Sequence, residues 1–472
     1  MGISAAMTGH PTQARTVARK GESVPVNASC EADPSAPNPA AALNETCFCR
    51  TLDLERLRQQ VEHGTGQLGV LREILRSRPH LFSSTVVFIS TATAERMAAL
   101  VAAITRVAAL PGYQAQALAR ADPLARRDFG PRGVCMGFDF HLGARGPQLI
   151  EVNTNAGGLL LNIALARAQQ SCCEAMDRIF RHAPKTDQIE PVVFEMFLGE
   201  WRLQHKELRP RLVAIVDDDP QAQYLAPEFE LFREFFERHG WPAAICDPCA
   251  LNWRDSQLWL GNRPVDMVYN RLTDFYLTEP RHAALRQAAD AGAVVITPHA
   301  RAHALFADKR NLVALSQDTV LAQWGVPACD RELLRQGIPP TELVSPNNAP
   351  ALWARRRQLF FKPVAGFGAR AAYRGDKLTR RVWADILAGE FVAQSLVPPA
   401  GRLVEVDGMC TDLKFDLRAY AYDGRMQWLA ARMYAGQTTN FRTRGGGFSP
   451  VIVLPSEFES GPRSSRVGND GN

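Results

Sequence analysis

The sequence predicts a mixed α/β protein of two to three lobes, and three observations carry that expectation. The chain has 472 residues, beyond the length at which one hydrophobic core stops growing. Short runs rich in β-branched residues alternate with helical patterns across 211–298, as in an α/β layer. Beyond them, "QLFFKPVAGFGARAAYRG", "GEFVAQSLVPP" and "DLKFDLRAYAYDGRMQWLAARMYAG" read as strands with turns at Gly and Asp.

Taken in order, residues 1–44 are rich in Ala, Pro, Ser, Thr and Gly without periodicity, so a disordered leader is expected there. The first part of the body spans 45–205, where "TAERMAALVAAITRVAAL" from Thr93 has helical spacing and a Thr start signal. In the α/β layer, 206–298, "RLVAIVDDD" and "VDMVYNRLTDF" are strands, with "APEFELFREFFERHG" and "EPRHAALRQAADAG" as helices. The last lobe, 299–455, opens with "RAHALFADKRNLVALSQ", expected to be helical, and 456–472 resembles the leader in composition and forms a tail. A net charge of +5 is too dilute over this length to argue for nucleic acid. The chain has neither a secretory h-region in its leader nor an apolar run of about 18 residues, so no membrane partner is expected and the cytoplasm is the default.

The ten cysteines are too sparse for a disulfide scaffold and read as reduced thiols. Cys47 and Cys49, Cys172 and Cys173, and Cys246 and Cys249 show no matched pair of zinc spacing; Cys246-Asp247-Pro248-Cys249 is half a motif in a loop.

The chemistry concentrates in "MGFDFHLGARGPQLIEVNTNAGG". "CMGFDFHL" and "PQLIEVNT" alternate about a Gly-Ala-Arg-Gly-Pro turn, which predicts a β-hairpin. Glu151 and Asn153 then share a face, and Asp139 on the first strand lies opposite. Three hard oxygen donors in one place suit Mg²⁺, with Asp139, Glu151 and Asn153 as its ligands, and the glycines after them let backbone amides approach an anion. The plainer alternative is a solvated hairpin face followed by a turn. Near the other end, "TTNFRTRGGG" sets two guanidinium groups beside three glycines, which forms an anion site or a charged surface turn. "KFDLRAYAY" and "QWLAARMY" place Lys414, Asp416, Arg418 and Arg432 at alternating strand positions, where cross-strand ion pairs are also possible.

A strand ending in Glu-x-Asn-Thr with an Asp one hairpin upstream resembles the metal-binding end of ATP-grasp ligases. The resemblance implies that ATP and Mg²⁺ are the cofactors. Lys362, at a strand end before Gly366-Phe367-Gly368, is similar to the lysine and flexible loop over the ATP phosphates, and Lys309 matches the first nucleotide lysine. "EFVAQSLVPP" resembles the linker strand at the adenine edge, placing Glu390, Gln394 and Val397 near the base. In most ATP-grasp chains the lysines precede the metal residues; here they follow, so the fold is expected to be a circularly permuted ATP-grasp with an inserted α/β substrate-binding layer. That order resembles eukaryotic-type glutathione synthetases and, more loosely, glutathionylspermidine synthetase-like proteins. On this match Arg271, on "VDMVYNRLTDF", and Asn155 contact substrate. Arg442 binds the substrate carboxylate, Gly445, Gly446 and Gly447 belong to the lid, and Arg418, Arg432 and Arg442 stabilise the acyl phosphate or hold a substrate carboxylate.

The implied activity is an ADP-forming carboxylate-amine ligase acting on an amino acid, peptide or polyamine, with a homodimer as the implied assembly. A phosphotransferase to another acceptor and a catalytically silent nucleotide-binding protein are the alternatives. The sequence departs from the glutathione synthetase pattern at two places. "VAGFG" replaces a Glu-Gly-Gly-Gly run carrying a metal ligand, and Asn155-Ala156-Gly157 replaces Ser-Ala-Ser, so an acid other than γ-glutamylcysteine is expected.

Overall fold

The computed structural model describes residues 38–181, 186–205, 209–366 and 371–455. Its centre is one large sheet made from both ends of the chain. Seven strands form it: β1 (Val87–Ser90), β2 (Met136–Gly143), β3 (Gly146–Asn153), β4 (Ala400–Val406), β5 (Met409–Tyr422), β6 (Arg425–Tyr434) and β7 (Gly447–Leu454). Their order is β1-β7-β6-β5-β2-β3, with β4 beside the first half of β5. Only β1 and β7 run parallel; the other neighbours are antiparallel. The alternating hairpin read from the sequence is β2–β3, and Asp139 stands directly opposite Glu151. The next strand places Arg418 opposite Asp139, and Asp416, two residues earlier on β5, is opposite Arg432 on β6.

The α/β layer is a separate four-stranded parallel sheet of Val295–Thr297, Met267–Asn270, Val213–Val216 and Ala243–Cys246, in that spatial order. The two expected helices, Ala226–Arg238 and Ala283–Ala291, form beside it. Phe229, Phe232, Phe235 and Phe236 on the first pack in one core with Val213, Ile215 and Tyr269. An antiparallel meander, Leu251–Arg254, Gln257–Leu260 and Arg263–Val265, lies inside the layer and was not anticipated. A third sheet, in the order Thr341–Leu343, Phe391–Ser395, Leu359–Pro363 and Tyr373–Arg374, carries Lys362.

Two expectations need correction. The leader does not extend to 44: Pro39–Thr46 is a helix capped by the Asn38 side chain, with Pro39 in its first turn and Leu43 fully buried. The span from 301 is not one helix. A π turn at His303–Ala307 ends at an extended Asp308, and a new helix begins at Arg310, leaving Lys309 at its start. The tail from 456 and the leader up to 37 lie outside the described residues. No helix among the described residues is long and apolar enough to cross a membrane.

The N-terminal helix is fastened by Arg402 on β4, whose side chain is fully buried. It donates to the carbonyls of Val86 at 2.9 Å, Asn44 at 3.1 Å and Leu403 at 2.7 Å. Removing the guanidinium leaves buried acceptors without a donor, which costs more than the bonds themselves contribute. Arg402→Ala is therefore expected to lower unfolding free energy by about 3 kcal/mol, read as a fall in denaturant midpoint. An unchanged midpoint would contradict the anchoring role.

Candidate active site

The polar centre of the molecule is the face of the large sheet where β3, β2, β5 and β6 meet. Asp139 is fully buried there. Its Oδ1 accepts from Arg418 Nε at 2.7 Å and its Oδ2 from Arg418 Nη2 at 2.7 Å, a bidentate pair. Arg432 Nη2 adds a third charged bond to Oδ2 at 2.8 Å while its Nε reaches Asp416 Oδ1 at 2.7 Å. Asp416, also fully buried, further accepts from the Thr439 hydroxyl. Burial alone would raise the Asp139 carboxyl, but the two arginines outweigh it and hold the group below the usual carboxylate range.

Asp139 is the first of the three expected metal ligands, and it faces two arginines. Both its oxygens are committed to guanidinium groups, so it serves as the counter-ion that fixes Arg418 and Arg432. Glu151 and Asn153 fit a hard cation better. Asn153 sits 3.0 Å from Asp139 and 3.3 Å from Glu151 through its amide nitrogen, and both residues remain partly exposed to the cleft. Rotation of that amide turns its oxygen to the same point, and two such donors plus phosphate and water oxygens suffice for Mg²⁺.

The two lysines arrive from different elements and meet over this face. Lys362, at the end of its strand, is buried and donates to the carbonyl of Ile150 on β3 at 2.6 Å and to Gln394 Oε1 at 2.9 Å. Burial pushes its amine down to about 8, the nearby charge of Glu151 opposes that, and Lys309 reinforces it. Lys309 is tied to the segment after Lys362 twice. Its backbone amide donates to Val364 O at 3.3 Å, and its Nζ donates to Gly366 O at 2.8 Å. The π turn thus places Lys309 where an unbroken helix would not. Gly368 lies outside the described residues.

The expected adenine strand, Phe391–Ser395, is central in its sheet, with its backbone paired to 341–343 on one side and 359–363 on the other. Gln394 therefore acts through its side chain, which accepts from Lys362 and reaches Thr341 Oγ1 at 3.4 Å. Glu390 is exposed, with its carboxylate 3.5 Å from Arg310. The Val397 carbonyl is occupied by His141 Nδ1 at 2.7 Å, a contact that no local pattern announces. Burial lowers the His141 imidazole and favours its neutral form.

The "NTNAGG" loop touches the α/β layer. Asn155 Nδ2 donates to the carbonyls of Arg271 at 3.3 Å and Leu272 at 3.0 Å, so the two residues expected to contact substrate are adjacent. Arg271 is buried, with Nη1 3.2 Å from the Tyr269 hydroxyl. The amides beyond the glycines do meet an anion, and it belongs to the protein. Glu228, buried in the helix Ala226–Arg238, accepts from Gly158 N at 2.7 Å and Leu160 N at 3.1 Å. A carboxylate at a helix N-terminus is favourable, and the signal for it was one acid beside the Phe-rich face. Gly158 has φ of 100°, and a Cβ there would meet Phe448 at 2.3 Å.

The glycines expected in a lid are packed down. Gly446 and Gly447 are buried; a Cβ on the first would meet Met433 O at 2.5 Å and on the second His80 O at 2.5 Å. Close backbone contact, rather than loop mobility, accounts for those two glycines. Gly445 has φ of 74°, Arg442 is exposed, and Arg444 pairs with Asp407 at 2.8 Å. A concavity of about 1300 Å³ that includes Arg167, Tyr422 and Trp428 in its lining contains none of the charged cluster.

No protein-family model and no curated protein matches this chain. Among solved structures it is similar to a glutathione synthetase-like effector from Globodera pallida, at 12% identity and a TM-score of 0.49, over 85% of this chain and 98% of that one. It is also similar to a protein described as a gamma-glutamylcysteine synthetase from Methylobacillus flagellatus, at 9% identity and a TM-score of 0.42, over 75% and 86%. A D-cycloserine synthetase matches at 17% identity and a TM-score of 0.28, over 52% and 92%.

Breaking a buried ion pair by removing one partner costs about 3–5 kcal/mol, and Asp139 answers two arginines. Asp139→Asn is expected to destabilise the fold by that order, seen in denaturant unfolding. Because the folded carboxyl lies below its unfolded value, its contribution is present above that value and is lost as pH falls through the folded one. The gap between wild type and variant should therefore close in strong acid, and a gap independent of pH would contradict the assignment.

Proposed function

We propose that this chain is an ATP-dependent ligase that joins a carboxylate to an amine and releases ADP and phosphate. The observation that carries the reading is the convergence of two buried lysines, Lys309 and Lys362, with Glu151, Asn153 and the arginine pair held by Asp139.

In this reading Lys362 and Lys309 exchange their internal carbonyl bonds for phosphate oxygens, and Gln394 keeps Lys362 aimed. Glu151 and Asn153 would hold Mg²⁺, whose charge, when bound, offsets that of the phosphates. Arg418 and Arg432, fixed by Asp139 and Asp416, face the substrate carboxylate and the charge that develops beside it. The carboxylate oxygen attacks the γ-phosphorus, the β,γ-bridging bond breaks, and ADP leaves an acyl phosphate. The amine then attacks the acyl carbon, the C–O bond to phosphate breaks, the nitrogen gives up a proton to solvent, and an amide and free phosphate remain. No protein nucleophile is required, because position and charge do the work. Asn155 and Arg271 line the loop between hairpin and α/β layer, so the acid or amine is selected there; an amino acid, a peptide or a polyamine suits that place.

Purified protein given Mg-ATP with pooled amino acids, peptides and polyamines should release ADP and phosphate with one acid-amine pair, and Lys362→Ala should reduce that by at least about a hundredfold. AMP as product, or turnover unchanged in the variant, would sink the mechanism. Nucleotide binding also carries a pH signature. Phosphate favours charged Lys362, so affinity should fall as pH rises through about 8, by at most about tenfold per unit. Lys362→Arg should flatten the decline in calorimetric titration, since arginine stays protonated.

A further inference from the structure

Away from the charged cluster, the fold gathers cysteines that the sequence keeps far apart. Cys49 follows the Pro39–Thr46 helix, while Cys172 and Cys173 immediately precede the helix Glu174–Arg181. The three Sγ atoms all lie within 4.8 Å of one another, and those of Cys172 and Cys173 are 4.0 Å apart. A zinc ion held by thiolates at about 2.3 Å sets its sulfurs roughly 3.8–4.0 Å from each other. The spacing found here reaches that geometry with small side-chain rotations. Cys172 and Cys173 are exposed and Cys49 is half-buried, so an ion can enter from solvent.

We propose that Cys49, Cys172 and Cys173 form a thiolate site for Zn²⁺ that staples the N-terminal helix to the helix Glu174–Arg181. Three thiols lose their protons to solvent as three Zn–S bonds form, and water completes a tetrahedron. A dication removes the mutual repulsion of neighbouring thiolates. The place also explains the purpose. Ala40, Leu43 and Cys47 from the N-terminal side share a small core with Met176 and Ile179 from the other helix, and with Val86 and Phe88. So small a core gains from a cross-link.

The full chain, reduced and freed of metal, should bind one equivalent of Zn²⁺ with release of protons, and added zinc should raise its melting temperature. Co²⁺ as a spectroscopic probe should give thiolate-to-metal charge-transfer absorption. Both signals should vanish in Cys49→Ser/Cys172→Ser/Cys173→Ser and persist in Cys246→Ser/Cys249→Ser. Should the triple variant not fold, Cys172→Ala, at an exposed position, must weaken Co²⁺ binding at least tenfold and alter the spectrum. Reduced wild type that binds neither ion, or binding that survives loss of Cys172 but not of Cys246 and Cys249, overturns the proposal. So does mass spectrometry showing that the protein as isolated carries a disulfide within this trio and no zinc.

Discussion

The charged lattice around Asp139 is the constraint on which the rest of the structure depends. A carboxylate with no exposure to solvent survives only if its charge is answered at hydrogen-bond distance, and two guanidinium groups answer it here. Those arginines come from β5 and β6 near the end of the chain, and the aspartate from β2, far earlier. The pairing therefore stitches the two ends of the sequence into one sheet. With Lys362, Lys309 and Glu151 alongside, three acids face four bases, which leaves a small excess of positive charge among them.

The same economy explains the loop that follows. "NTNAGG" has amides free to bind an anion, and the protein fills that place with Glu228 from the α/β layer. The loop is consequently a joint between two sheets, and Asn155, bonded to the backbone of 271–272, is its second fastening. The wall between hairpin and layer is therefore ordered before anything binds there. Low entropy cost on binding is the physical benefit of such pre-organisation.

Much of this was legible in the sequence, for identifiable reasons. The β2–β3 hairpin follows from strict alternation about a glycine-bounded turn, so the meeting of Asp139, Glu151 and Asn153 could be read directly. Lys362 was legible because Lys-Pro before a glycine run marks a strand end. What escaped was decided by tertiary contact. The role of Asp139 depends on strands some 280 positions away, and local pattern cannot reveal that its oxygens are filled. The break at 303–307 has no Gly or Pro to announce it. Glu228 looked like one polar residue of an amphipathic helix. By contrast, the early start of the fold at Pro39 was announced by Asn38-Pro39, an N-cap followed by a first-turn proline, and composition masked it.

The central claim is that Lys309, Lys362, Glu151 and Asn153 surround nucleotide phosphates while Asp139 stays with its arginines. A crystal structure with Mg²⁺ and a non-hydrolysable ATP analogue tests it most directly. The account predicts phosphate oxygens on Lys362 Nζ in place of the Ile150 carbonyl, metal on Glu151 and Asn153, and the Asp139–Arg418 pair intact. Phosphates bound elsewhere, or Asp139 released from Arg418 to coordinate the metal, would contradict it.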